Sequence, residues 1–404
     1  MIRFPRLRAV TPANNPEVIL VDAARPQIGG LETWNKVMAE RLRDRGWTVR
    51  VLAFGDHAHP VEGGLVCPDG SPREQARSGL DLLQQRARAG AWGVFLAGGY
   101  AVSDLLGLNL LGSPWRVISV AHGDHRGLFD WLLAGPPDAV VLPNTDLARR
   151  AKKELRRRSR RPWVWNRVHY IPHGVPVGPP WRQRNREAPL RLLAASRLDA
   201  GVKRPWDYIL IARQLQKSGV PLHFRILGSG TEADAMRRVV REEGLPVEMP
   251  GALSRAGVLR EMAESDIFLS TSETEAFGLS VAEAMGAGCA VVAADAGPAL
   301  QELACQQAAC LVETGNTGAF IAVITRWIQE EAERNGYARR GQWRIKRFFS
   351  EEVMLDQYER LLHFQVNQGG PAPGWQTGEF LETPAAAAKA SGWRVPFRRI
   401  FHRP

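Results

Sequence analysis

The chain has 404 residues, 45% of them apolar, and a formal charge of +11. That length accommodates two domains of ordinary size, and no run approaches the roughly 18 apolar residues needed to cross a bilayer. The excess of Lys and Arg speaks to partners rather than fold, and by itself leaves nucleic acid, anionic membrane and phosphorylated small molecules open.

In chain order, EVILVD (17–22) reads as a buried strand, and a Gly29-Gly30 turn then opens a helix. Leu31, Trp34, Val37, Met38 and Leu42 recur on one face of that helix, and Gly46 closes it. TVRVLAF (48–54), GVFLAG, WRVISVAH and DAVVLPN are further strand candidates, most with helical stretches between them. This βαβ rhythm predicts a parallel doubly wound sheet. The segment PHGVPVGPPWRQRNREAP, rich in Pro, Gly and charge, breaks the rhythm and reads as a linker. The pattern then restarts with LRLLAAS, YILIARQLQ, LHFRILG, two amphipathic helices, DIFLSTS, CAVVAAD and ACLVET. The fold class expected is α/β, with two Rossmann-like parallel-sheet domains facing a central cleft at the C-terminal ends of their strands.

The four cysteines, Cys67, Cys289, Cys305 and Cys310, have neither CxxC spacing nor the density of a disulfide scaffold. MIRFPRLRAV is followed by no apolar core of signal-peptide length. Both features predict a reduced, cytoplasmic protein.

ETEAFGLSVAEAMGAG (273–288) carries Glu275 and Glu283, eight positions apart, around a Phe277-Gly278-Leu279 turn. It follows the DIFLSTS strand, so the turn amides fall at a helix N-terminus, where unpaired N–H groups and the helix dipole favour an anion. Two carboxylate acceptors flanking such amides suit a ligand with hydroxyls at both ends and phosphate between them, as in a nucleotide-sugar. Spacing alone equally allows a capped helix whose glutamates face solvent or pair with arginines.

The same segment resembles the E-x7-E signature of retaining glycosyltransferases of the GT-B fold, glycosyltransferase family 4 (glycosyl transferases group 1). The similarity extends over most of the chain. Gly29-Gly30 matches that family's N-terminal glycine loop, and AASRLDAGVKRPWDYIL its donor-phosphate segment, with Arg197 and Lys203 at the basic positions. ILGSGTE is similar to its strand-to-glycine turn, and IPHGV to the end of its N-terminal domain. The chain departs from the pattern at Arg204, where glycine commonly follows the lysine, and at His173, where asparagine often precedes GV.

The resemblance implies domains over 1–178 (acceptor-binding) and 190–347 (nucleotide-sugar-binding), joined by a linker at 179–189. FFSEEVMLDQYERLLHF is similar to the family's C-terminal helix, so 348–366 is expected to return to the first domain, ahead of a basic, aromatic tail at 367–404. Glu275 and the Phe277, Gly278 and Leu279 amides would hold the donor sugar, and Glu283 the ribose hydroxyls. Arg197 and Lys203 would face the diphosphate, with a Gly29-Gly30 amide reaching it from the other domain. Either cation is also readable as ordinary surface charge. His122, in SVAHGDH, resembles the family's active-site histidine; His125 competes, and the AHG match favours His122.

The implied reaction retains anomeric configuration, with the leaving phosphate taking the acceptor proton; a covalent Glu275 intermediate is the weaker route. No Asp-x-Asp sequence or metal-ligand spacing occurs, so a metal-independent enzyme is expected, with no cofactor beyond the nucleotide-sugar co-substrate. ARRAKKELRRRSRRPWVWNR (148–167) joins a basic helix to Trp163 and Trp165, and the tail interleaves aromatics with arginines. These suit an anionic surface at the inner face of the cytoplasmic membrane and a glycan or lipid-linked acceptor in envelope polysaccharide synthesis. A solvated helix with a disordered tail reads nearly as well, while no nucleic-acid module is recognisable. Two rival readings compete with this one. A nicotinamide-dependent oxidoreductase needs a G-x-G-x-x-G turn, which QIGGLETW does not supply. A catalytically inert, membrane-associated scaffold would lose the site residues that this chain keeps.

Overall fold

The computed structural model describes residues 16–23, 30–54, 64–68, 70–98, 101–122, 137–158, 165–181, 189–217, 219 and 222–368. Of the features read from the sequence, Gly29, His125, Trp163, linker residues 182–188 and the tail from 369 lie outside them. The described residues through Ile171 and from Leu355 group into one unit, and Pro172–Met354 into another.

The first unit holds strands β1 Glu17–Ala23, β2 Thr48–Phe54, β3 Leu65–Cys67, β4 Gly93–Ala97, β5 Trp115–Val120, β6 Ala139–Leu142 and β7 Val168–Tyr170. Their order is β3-β2-β1-β4-β5-β6-β7, with every pairing parallel. Parallel neighbours require crossovers, and helices α1 Gly30–Asp44, α2 Pro72–Arg88, α3 Ala101–Asn109 and α4 Thr145–Arg158 lie in those connections. Covered on both faces, such strands read as unbroken apolar runs rather than alternating ones; β4 and β6 are buried at every residue. On α1 the predicted stripe is borne out at Trp34, Met38 and Leu42, all buried. Asn35 shares that face and donates its Nδ2 to the Val21 carbonyl at 2.9 Å.

The second unit repeats the plan with β8 Leu190–Ala195, β9 Leu222–Leu227, β10 Val247–Gly251, β11 Ile267–Ser270, β12 Ala290–Ala294 and β13 Cys310–Val312. Their order is β10-β9-β8-β11-β12-β13, again all parallel. Helices α5 Trp206–Lys217, α6 Ala233–Glu242, α7 Arg255–Glu264, α8 Leu279–Ala287, α9 Pro298–Ala304, α10 Thr317–Gln329 and α11 Glu331–Arg344 flank it, followed by a π-helical turn, Ile345–Phe349. β3, β7 and β10 were not read from the sequence: β3 and β7 are three-residue strands at the two edges of the first sheet, and β10 is an edge strand, alternately half-buried and exposed, that carries Pro250 and Gly251. Both expected Rossmann-like sheets are therefore present. Each rests on its own apolar core, where burying a Leu- or Phe-sized side chain contributes roughly 1.5–3 kcal/mol.

The last helix, α12, spans Glu351–Asn367, and the division between units falls within it, after Met354. From Leu355 on, its residues pack within the first unit. Tyr358 meets Trp34 edge-on at 5.7 Å, and Arg45 Nη1 lies 2.7 Å from Asp356 and 3.0 Å from Glu359. Trp47 Nε1 also donates to Glu359 Oε1 at 3.2 Å.

Candidate functional site

In the second sheet the strand order reverses between β8 and β11, which pair directly, Leu192 with Ile267 through Ala194 with Leu269. The connections leaving their C-terminal ends diverge to opposite sides, and such a switch point leaves a crevice where ligands bind. Lys203 lies on the connection after β8 and Glu275 on the one after β11. Their side chains meet, with Nζ 2.7 Å from Oε1, and both are largely withdrawn from solvent. Backbone contacts hold the loops together. Thr271 Oγ1 donates to the carbonyls of Lys203 (3.0 Å) and Arg204 (3.1 Å), and Glu273 N–H donates to the Val202 carbonyl at 2.7 Å.

Arg204 explains its own departure from the family pattern. Its φ is +47°, in the left-handed region where glycine is at ease and other residues carry a cost of about 1–2 kcal/mol. The offset is a charge-assisted contact to the buried Asp207, with Nε at 2.8 Å and Nη2 at 3.3 Å from its two oxygens.

Gly278 caps α8 with φ +90°, and a Cβ there would meet Leu300 Cδ2 at 2.4 Å, so only glycine fits. The first-turn amides of α8 have no intrahelical acceptors and lie at the positive end of the helix dipole. Phe277 is fixed from behind: its buried ring contacts His173 at 5.3 Å and Phe349 at 6.0 Å. The side chain thus belongs to the core, leaving the backbone as the part of Phe277 that can serve a ligand. His173 is itself buried, which pushes its pKa down to about 4 and keeps it neutral.

Glu283 sits one turn into α8 and is drawn to Arg255, whose Nε and Nη2 both lie 3.3 Å from its Oε1. Burial raises the Glu283 pKa, and Arg255 opposes that rise. Nothing in the sequence singled out Arg255. Arg197 is not drawn into the Lys203–Glu275 pair; it is solvent-exposed, with Nη1 3.5 Å from Asp199 Oδ2. Gly30 and His122 belong to the first unit. Gly30 starts α1, and His122 follows β5, where the Trp34 ring stands edge-on at 4.8 Å.

The small residues of α8 answer to packing. Gly286 lies against the chain segment after His173: a Cβ would come within 2.5 Å of the Pro176 carbonyl oxygen. The Gly286 carbonyl accepts from Gly178 N–H at 3.0 Å and from Gln342 Nε2 at 3.1 Å.

The basic face of α4 forms part of the first unit's surface. Arg149, Lys152, Lys153, Arg156 and Arg157 line a groove of about 540 Å³ with Tyr170. Arg157 lies 3.6 Å from Glu154, and the Arg156 guanidinium stands 5.8 Å over Trp165. Among the described residues no carboxylate pairs with Arg149, Lys152, Lys153 or Arg156. No described helix is long and apolar enough to cross a membrane, and the described residues contain no cluster of three His, Cys, Asp or Glu side chains fit to hold a metal.

Residues 180–344, nearly all of the second unit, match the family glycosyl transferases group 1. The chain shares the GT-B fold with solved structures. A glycosyltransferase from Rickettsia africae superposes with a TM-score of 0.67 at 15% identity, covering 88% of this chain and 100% of that one. HepE from Anabaena, solved with UDP and glucose, gives 0.65 at 18%, covering 86% and 99%. The sucrose-phosphate synthase of Thermosynechococcus elongatus gives 0.66 at 17%, covering 88% and 100%. A search of curated proteins returns no significant match.

Proposed function

We propose that the protein is a retaining, metal-independent glycosyltransferase. It moves a hexose from a nucleoside-diphosphate sugar to a glycan or lipid-linked acceptor in cell-envelope polysaccharide synthesis. The observation that carries the reading is the Lys203–Glu275 pair at the switch point, beside the N-terminus of α8 and inside the matched region.

Breaking the sugar–phosphate bond places negative charge on the departing diphosphate. Lys203 supplies a fixed cation for it, the α8 amides supply dipoles, and Arg197, exposed beside Asp199, supplies a second cation. Glu275, anchored by Lys203, accepts from the donor sugar's hydroxyls, and Glu283 from the ribose. The anomeric carbon loses its bond to the phosphate oxygen and gains one to the acceptor oxygen on the same face, while the phosphate takes the acceptor's proton.

The envelope acceptor draws support from a fold relative named as a lipopolysaccharide outer core galactosyltransferase. The cations of α4 that line the groove support work at the anionic inner face of the cytoplasmic membrane. An inert membrane-associated scaffold is the alternative, disfavoured by the retention of Lys203, Glu275 and Glu283.

Thermal shift with UDP-, GDP- and ADP-sugars in EDTA tests the reading. One donor should raise the melting temperature, and Glu283→Ala should abolish the rise; a hundredfold excess over Kd corresponds to roughly 2.7 kcal/mol. Transfer that survives Glu275→Ala, Arg197→Ala and Lys203→Ala alike would refute it.

A further inference from the structure

Arg255 occupies the first position of α7, directly after the Ser254 cap, whose Oγ accepts from Gly257 N–H at 3.2 Å. Helix energetics disfavour a cation there, because it faces the positive end of the dipole. The reason for an arginine therefore lies outside α7. Its guanidinium spans two carboxylates from different helices: Glu283 of α8, at 3.3 Å from both Nε and Nη2, and Glu351 at the start of α12, at 3.3 Å from Nη2. All three side chains are mostly withdrawn from solvent, with exposures of 32% for Arg255, 15% for Glu283 and 20% for Glu351.

The charged groups acting on Glu283 are Arg255 from α7 and Glu351 from α12. Burial and the Glu351 charge both favour the protonated form of Glu283, and Arg255 opposes them. Only the ionised form offers both oxygens as acceptors.

We propose that Arg255 is a positioning residue for Glu283, fixing the orientation and charge of its carboxylate for the hydroxyls of a bound nucleotide, while Glu351 shares Arg255 and so sets how much of its charge Glu283 receives. This rests on the donor-site reading of Glu283 given above. Nucleotide affinity should fall as pH drops through the Glu283 titration. Removing Arg255 moves that acid limb to higher pH; removing the Glu351 charge moves it to lower pH.

The test is calorimetric binding of UDP, GDP and ADP to the full chain between pH 5 and 9, followed through the pH range with the tightest of the three. Arg255→Ala should weaken binding about tenfold on the acid limb and less on the plateau above it, because it removes a hydrogen bond to a charged group. Arg255→Lys should recover part of the affinity, and Glu351→Gln should bind more tightly than the parent on the acid limb. Acid limbs that stay in place, or that move the same way in both variants, overturn the proposal. If Arg255→Ala fails to fold, Glu351→Gln decides alone, by whether its limb moves down. Should none of the three nucleotides bind, or Glu283→Ala bind as well as the parent, the donor-site reading itself falls and takes this proposal with it. An affected Glu283→Ala with unmoved limbs would sink the Arg255 proposal alone.

Discussion

Lys203 and Glu275, 72 residues apart in sequence, are joined by a 2.7 Å contact between Nζ and Oε1. Each comes from a different strand end, and the pairing of β8 with β11 brings those ends side by side. Lys203→Ala removes the cation facing the leaving diphosphate and leaves the Glu275 carboxylate without its partner. A drop in kcat of about 10²–10³ is expected, the usual cost of one well-placed transition-state donor. Steady-state kinetics with the donor found by thermal shift would measure it; an unchanged kcat would remove Lys203 from the chemistry.

Gly286→Ala should destabilise the second unit without touching any proposed ligand contact. The new methyl group would press on the Pro176 carbonyl oxygen at 2.5 Å and on Ile345 Cγ2 at 3.3 Å. Overpacking against backbone costs typically 1–3 kcal/mol. A lower urea midpoint with an unchanged m-value is the expected result, and full stability would mean that the segment after His173 yields easily.

Acid should weaken the fold through His173. Its pKa is about 4 in the folded protein against an ordinary value of 6.5, because burial disfavours the charged ring. Between those values the unfolded chain binds the proton more readily. The neutral ring's contribution is thus complete above about pH 6.5 and is lost as pH falls toward 4. From pH 7 to 5 the loss comes to about 2 kcal/mol. Denaturation curves at both pH values should show His173→Asn with a smaller loss than the parent; an equal loss would exonerate this histidine. His169 in the first unit, also lowered to about 4 by burial and by Lys152, adds a slope that this substitution leaves in place.

The cationic groove should bind anionic vesicles. Replacing Arg149, Lys152, Lys153 and Arg156 with glutamine removes four cations, each worth about 1 kcal/mol near such a surface. Flotation with phosphatidylglycerol vesicles should fall by at least tenfold and lose much of its salt dependence. Retained flotation would sink the membrane reading and leave the donor site untouched.

The strands were legible in the sequence because burial on both faces leaves little but Val, Ile, Leu, Ala and Phe, as in β1, β6 and β12. β3, β7 and β10 escaped: β3 and β7 are three-residue strands at the two edges of their sheet, and β10 is an edge strand with alternating exposure. Of the candidate site, the E-x7-E pattern marked Glu275 and Glu283, and the basic segment after β8 marked Lys203. Their partnerships are another matter. Whether Glu283 faced solvent or an arginine was open from spacing, and Arg255 looks like any of the chain's many surface cations until α7 and α8 are set side by side. Arg204 was legible as a departure but not as a left-handed residue held by Asp207. The Gly286 contact with Pro176 joins segments that no local pattern connects.

The first unit needs both a beginning and a late stretch of the chain, whereas the second is drawn from one continuous stretch. The chain is made from its N-terminus, so every residue of the second unit exists before Asp356, Tyr358 and Glu359 are synthesised. Until then, Trp34 lacks the ring that covers one edge, and Arg45 lacks its two carboxylates. On the ribosome, the unit begun first is the one completed last.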